Sequence, residues 1–234
     1  DAELCRWSSD RAQVLSRTVR GVMLYADALR TLAHLEGVPA EEVDAVVASK
    51  FEFVITCQKY VKLRDSKLPE ETWKAKGIDE LRHRFAANLR VAYVVGQDRL
   101  EREALSGVDR KTGYDFYSVL MEVDPKTHEE RVSYKVKLPG NPIIGEGKPE
   151  NQNHAIVFTR GEYLQTLDMN QDNYMGEAFK LRNLLECFAN NVRIVGCREH
   201  IFSEAGGAVA AFAASNEFAF GTALQQLHGV SIMR

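Results

Sequence analysis

From Leu138 to Tyr174 the chain reads LPGNPIIGEGKPENQNHAIVFTRGEYLQTLDMNQDNY. Gly145, Gly147, Lys148, the consecutive Asn151-Gln152-Asn153-His154, Arg160, Asp168 and Asp172 all fall within this one run. A stretch this polar cannot form core. Polar side chains concentrated on loops between rigid elements are where binding and catalysis usually sit.

Each group supports a particular chemistry. Glycines let a backbone approach a ligand closely, and Lys148 can meet a diphosphate as a point charge. The alternative is a tight turn carrying a solvated lysine. A P-loop is excluded, because GxxxxGK[ST] needs Gly at 142 and Ser or Thr at 149, where this chain has Pro142 and Pro149. Asn151, Asn153 and His154 donate and accept hydrogen bonds, which suits sugar hydroxyls or an internal bracing network. No second ligand stands at metal spacing beside His154. Asp168 and Asp172 follow a strand-like segment and have the hard oxygens a magnesium ion prefers, although Asp172 also suits a helix cap.

These groups need elements to hold them. Leu15, Val19, Val22, Met23, Ala26, Leu29 and Ala33 recur at helical spacing after a cap at Ser8-Ser9-Asp10, and Gly37 and Pro39 end that helix. Arg11, Arg17 and Arg20 lie near its start, where cations oppose the helix dipole; they answer either to an anion or to solvent and acidic neighbours. Phe51–Cys57 alternates as a strand, with Phe51, Phe53, Ile55 and Cys57 on one face. Gln58 and Lys62 follow its carboxyl end, where ligands gather in open α/β sheets; an exposed polar pair leading into a helix is the plainer account. Residues 63–88 read as loop and short helix, Leu89–Val95 as a buried strand. Gly113–Val123 and Glu130–Leu138 form a hairpin with Val132, Tyr134, Val136 and Leu138 on its buried face. Ala155–Phe158 and Tyr163–Leu167 read as a second hairpin. A helix over 173–190, a short buried strand over Val192–Val195 and an Ala-rich helix over 208–227 complete an α/β chain. Glu199, just past that last strand, is placed to act as a general base or to pair with Arg198.

Composition narrows the class. A net charge of -3 gives no concentrated basic face, so nucleic acid is not an expected partner. Hydrophobic residues at 45% and charged residues at 27% fit an ordinary globular chain. Cys5, Cys57, Cys187 and Cys197 form no CxxC pair and read as reduced, mostly buried thiols of a cytosol-facing protein. No signal peptide and no 18-residue apolar run is present; Ser215, Asn216 and Glu217 interrupt the nearest candidate, Ala205–Leu224. The chain opens on Asp1 and ends abruptly, as expected of a fragment.

Gly145-Glu-Gly-Lys-Pro-Glu-Asn-Gln-Asn-His-Ala155, with Phe158-x-Arg160-Gly161-Glu162 and Asp168-Met-Asn170-Gln171-Asp172-Asn173-Tyr174, resembles the 1,3-β-glucan synthases (callose synthases). Leu15–Gly21 and Gly196-Cys-Arg-Glu199-His-Ile-Phe202 extend the resemblance. It implies that residues 1–234 are a single, partial catalytic domain with a GT-A-like core, a mixed sheet flanked by helices. The implied reaction is transfer of glucose from UDP-glucose to a growing 1,3-β-glucan. Glu199 would be the base; Gln58, Lys62, Lys148, Asn151, Asn153, His154 and Arg160 would bind substrate; and Asp168 and Asp172 would hold magnesium. Implied partners are the UDP-glucose donor, the glucan acceptor, the remainder of a multi-pass membrane synthase at the cytosolic face of the plasma membrane, and a regulatory GTPase subunit. One departure stands out: the family commonly places an acid just after the strand ending near Val94, whereas this chain has Val95-Gly96-Gln97 and reaches an acid only at Asp98. Either Asp98 substitutes through a shifted loop or the contact is lost. The loss would fit a catalytically inactive regulatory or scaffold segment.

Overall fold

The structure, a computed structural model, describes residues 14–57, 60–98, 114–144, 147–167, 175–189, 191–195 and 207–219. In chain order its elements are α1 (Val14–Leu35), α2 (Val43–Lys50), β1 (Phe53–Thr56), α3 (Tyr60–Arg64), α4 (Pro69–Arg84), β2 (Leu89–Asp98), β3 (Tyr114–Val123), β4 (Glu130–Lys137), α5 (Lys148–Ile156), α6 (Met175–Glu186) and α7 (Gly207–Ala219). They fall into two compact units, one spanning Asp1–Val47 and Thr166–Arg234, the other Ala48–Gln165.

In the first unit α1 packs against α6. The expected stripe is there, with Val22, Ala26, Leu29 and Ala33 buried, and Thr18, Tyr25 and Ala28 widen the covered face. Gly37 ends α1 at φ 80°. Its N–H donates to His34 O, and the Val38 N–H to Ala33 O, both at 3.0 Å. These two bonds are the Schellman pair that satisfies the last carbonyls of a helix. Among the described residues the α6 helix covers 175–186 and ends short of 190, and within it Ala178 is buried while Leu185 is exposed.

The second unit is a four-stranded mixed sheet in the order β1-β2-β3-β4, flanked by helices. β1 runs parallel to β2, and β2–β3 and β3–β4 are antiparallel. Alternation along the strands separates two faces. Val54, Ala92 and Leu120 pack with Ala155 and Phe158 of the α5 segment. Phe53 and Tyr93 point the other way, to Phe85 after α4 and to Tyr60 of α3. Leu89, Val91 and Leu120 are fully enclosed, each such side chain contributing about 1.5–3 kcal/mol.

Five expectations are corrected. Residues 63–88 hold a helix of 16 residues, α4, because Pro69 sits in its first turn, where proline's fixed φ initiates a helix rather than breaking one. The second hairpin is absent among the described residues: Lys148–Ile156 is helical, again with proline (Pro149) in the first turn, and 163–167 form no strand. The buried strand at Val192–Val195 does not form either, Ile194 being 84% exposed; so short a segment cannot make a strand without a pairing partner. Cys187 is exposed and Cys57 half-buried, not core thiols.

The fifth concerns β4. Val132, Tyr134 and Val136 are all exposed. β4 is the sheet's edge, and its register slips between Leu120 and Met121, which pair with Tyr134 and Val132 respectively. Ser133 is therefore the extra residue of a bulge, and a bulge transfers the following side chains to the opposite face. Tyr134 stacks on Phe158 on the α5 face. Glu130, beyond the bulge, reaches Arg82 of α4 on the other side.

Candidate functional site

The parallel pair β1/β2 defines the end of the sheet where a ligand crevice is expected. β1 leaves the ladder after Thr56, which is level with Ala92, and the Cys57 N–H makes the last bond, to Ala92 O at 3.3 Å. Two residues further along β2, the Val94 N–H has no strand beside it on that edge among the described residues. It donates instead to the side-chain oxygen Oδ1 of Asn151, at 2.8 Å. Lower on the same strand Arg90 donates to Phe158 O at 2.7 Å. These two ties fix the direction of α5. It runs antiparallel to β2, so its N-terminus lies at the carboxyl end of the parallel pair.

That N-terminus is preceded by Gly147 at φ 88°, with no side-chain cap. Lys148 and Pro149 open the helix, and Lys148 is half-buried. A helix N-terminus carries partial positive charge and favours anions. Lys148 adds a full charge at the same place. Lys62 lies on α3, which starts right after β1 with the Tyr60 N–H on Cys57 O, and is exposed. Lys62, Lys148 and Asn151 thus arrive at one end of the sheet.

The Asn-Gln-Asn-His run is not a loop. It is helical, and the helix separates its members. Asn151 and Ala155, four apart, face the sheet and are buried, while Asn153 is exposed and His154 half-buried. Arg160 is held by Glu52: its Nη2 and Nε donate to Oε1 at 2.9 and 3.3 Å, and its backbone N–H to Oε2 at 3.3 Å. Arg90 pairs with the same carboxylate. Glu52 therefore joins the entry of β1 to the segment that leaves α5. Asp98 closes β2 in register with Tyr114. Residues 95–97 are strand, about 13 Å of extended chain separates Asp98 from Val94, and no loop shifts the acid back. Gln58, Asp168, Asp172 and Glu199 lie outside the described residues.

Sequence reasoning missed a polar centre behind the site. Arg82 is fully buried, and its Nη1 meets the Tyr60 hydroxyl at 2.7 Å, Asp79 at 3.1 Å and Glu130 at 3.3 Å. The Tyr60 hydroxyl in turn donates to Asp79. Burial first, and then this hydrogen bond, pushes the phenol's pKa far above its usual value. Tyr60 opens α3, so the centre fixes the helix that carries Lys62. One signal was available: Ala75, Ile78, Arg82 and Phe85 recur at helical spacing, which places an arginine on a core stripe.

Comparison with known proteins now adds the family. Residues 2–229 match the family described as "1,3-beta-glucan synthase component". In Arabidopsis thaliana, callose synthase 10 is 42% identical over 96% of this chain, callose synthase 9 is 41% identical over 96%, and callose synthase 3 is 40% identical over 97%. The chain spans only 12% of the length of callose synthase 10 and 13% of callose synthase 3. A match over nearly the whole chain, reinforced by these identities, places the chain in the 1,3-beta-glucan synthase component family.

Proposed function

We propose that this chain is a GT-A-like part of a processive synthase that transfers glucose from UDP-glucose to a growing 1,3-β-glucan. The observation that carries the reading is the N-terminus of α5, with Lys148, brought to the carboxyl end of the parallel β1/β2 pair. A nucleoside diphosphate leaving group needs positive charge that is in place before the bond breaks. The helix end, Lys148 and Lys62 supply it. Gln58, Asn153 and His154 hold nucleotide and sugar.

In the transfer, Glu199 takes the proton from an acceptor 3-hydroxyl. That oxygen attacks the anomeric carbon, the bond from this carbon to the diphosphate oxygen breaks, and UDP leaves with inversion. The reaction would run at the cytosolic face of the plasma membrane, with the remainder of the multi-pass protein and a regulatory GTPase as partners. Among the described residues no helix is long and apolar enough to cross a membrane. The assignment of Asp168 and Asp172 to a magnesium ion rests on their spacing and on the resemblance; no group of three metal-ligating side chains stands together among the described residues.

Two measurements test the reading. Titration of UDP and UDP-glucose into the full-length synthase should show binding that Lys148→Ala weakens about tenfold, as loss of one charge-assisted contact does. Incorporation of labelled glucose should collapse in Glu199→Gln, and normal polymer output from that variant removes Glu199 from the mechanism. A second reading, a regulatory or scaffold segment without catalysis, is favoured by the continuation of β2 through Gly96 and Gln97, where the resemblance implies an acid. No UDP binding at millimolar ligand would select it.

A further inference from the structure

Asn151 was expected to offer its amide to a sugar or a nucleotide. Its surroundings assign it different work. The residue is 2% exposed, and its Oδ1 is taken by the Val94 N–H at 2.8 Å. Nδ2 is buried with no acceptor. The side chain sits where a strand neighbour of β2 would sit had β1 continued past Thr56. A helix residue has taken over a position in a sheet ladder.

Two consequences follow from its place on α5. Lys148 is three residues earlier, so the two side chains share a helix face one turn apart. The Asn151–Val94 bond is also the tie nearest the helix N-terminus; the next, Arg90 to Phe158 O, lies past the far end. Without it, the hydrogen bond described between β2 and the α5 segment is the one past the carboxyl end, and the first turn is held less firmly at the crevice.

We propose that Asn151 is a positioning residue, acting through Lys148: its amide splices the first turn of α5 onto β2 and so sets where the Lys148 ammonium meets the donor's diphosphate. The inference rests on the reading of Lys148 given above and deepens it. Oδ1 carries the function, and Nδ2 is a bystander.

The test is a double-mutant cycle on UDP affinity in the full-length synthase, by titration of UDP into wild type, Lys148→Ala, Asn151→Ala and the double variant. Asn151→Ala should weaken UDP about tenfold by itself, yet change affinity by less than about twofold when Lys148 is already alanine. Additive losses overturn the proposal, since they would mean that Asn151 touches the ligand independently. Hydrogen exchange at the Val94 amide reads the splice directly. It should accelerate in Asn151→Ala and not in Lys148→Ala, and unchanged exchange defeats the proposal. If Lys148→Ala leaves UDP affinity intact while Val94 exchange still depends on Asn151, then the donor-site reading of Lys148 has failed, and the proposed route through it fails for that separate reason.

Discussion

The guanidinium of Arg82, fully enclosed, donates to the hydroxyl of Tyr60 at 2.7 Å, across 22 positions of sequence. That single contact ties the last turn of α4 to the first residue of α3. It does so at the point where the chain leaves β1 for the proposed donor site. The same guanidinium also meets Asp79 and Glu130, so one cation joins two helices and the entry of β4.

Removing the cation should expose how much the centre contributes. Arg82→Ala leaves a cavity and removes the cation that Asp79 and Glu130 share, a loss of about 3–5 kcal/mol. Arg82→Met keeps most of the volume and should cost clearly less, because a well-packed apolar side chain often replaces a buried ion at little penalty. Urea unfolding of the two variants checks the order. Equal losses would show that charge pairing alone, not the volume of the side chain, holds the centre.

Tyr60 makes a prediction in alkali. Burial and the bond to Asp79 raise its pKa in the folded state, so folding favours the protonated phenol. A raised pKa means the stabilisation is complete below the unfolded value, about 10, and is lost as pH rises from there towards the folded value. Stability measured across this range should fall more steeply for the native chain than for Tyr60→Phe. Parallel curves would show that the phenol does not couple to folding.

Glu52 holds two arginines of different standing. Arg90 is 6% exposed at its side chain and Arg160 is 70% exposed. Glu52→Ala abandons a buried guanidinium and should cost about 3 kcal/mol or more. Arg160→Ala removes a screened surface ion pair and should cost about 1 kcal/mol or less. Thermal unfolding of both variants tests the ratio. If Arg160→Ala also abolished UDP binding while leaving stability intact, Arg160 would return to the donor site.

Gly37 should resist substitution for a backbone reason alone. A Cβ there meets nothing within 4 Å, but φ is +80°. Gly37→Ala should therefore cost about 1–2 kcal/mol through left-handed strain, and Gly37→Asn less. A neutral alanine, by the same melting assay, would mean that α1 can end without the Schellman turn.

How much of this was legible beforehand depends on the range of the forces involved. Local patterns were: the stripe of α1 and its stop at Gly37, the alternation of Phe53 and Ile55, the buried run Leu89–Val95 and the hairpin of β3 and β4 are all set by residues a few positions apart. The prolines are a local signal too: Pro69 and Pro149 lie in the first turns of their helices, where proline costs no hydrogen bond. Ser133 gave no warning of its bulge, since an extra residue exists only relative to the partner strand. That one slip moved Glu130 to the face of Arg82.

By itself, then, the order of residues determined α1, the strands of the sheet, the family likeness and several of the polar groups in play. Only tertiary structure decided what those groups do. Asn151, Asn153 and His154 look equivalent in the sequence, yet the turn of a helix buries the first and exposes the second. Arg82 looks like one charge among many until Tyr60, Asp79 and Glu130 fold around it. The reason is physical: propensity and periodicity act over one or two turns, whereas burial and pairing are settled by neighbours tens of residues away.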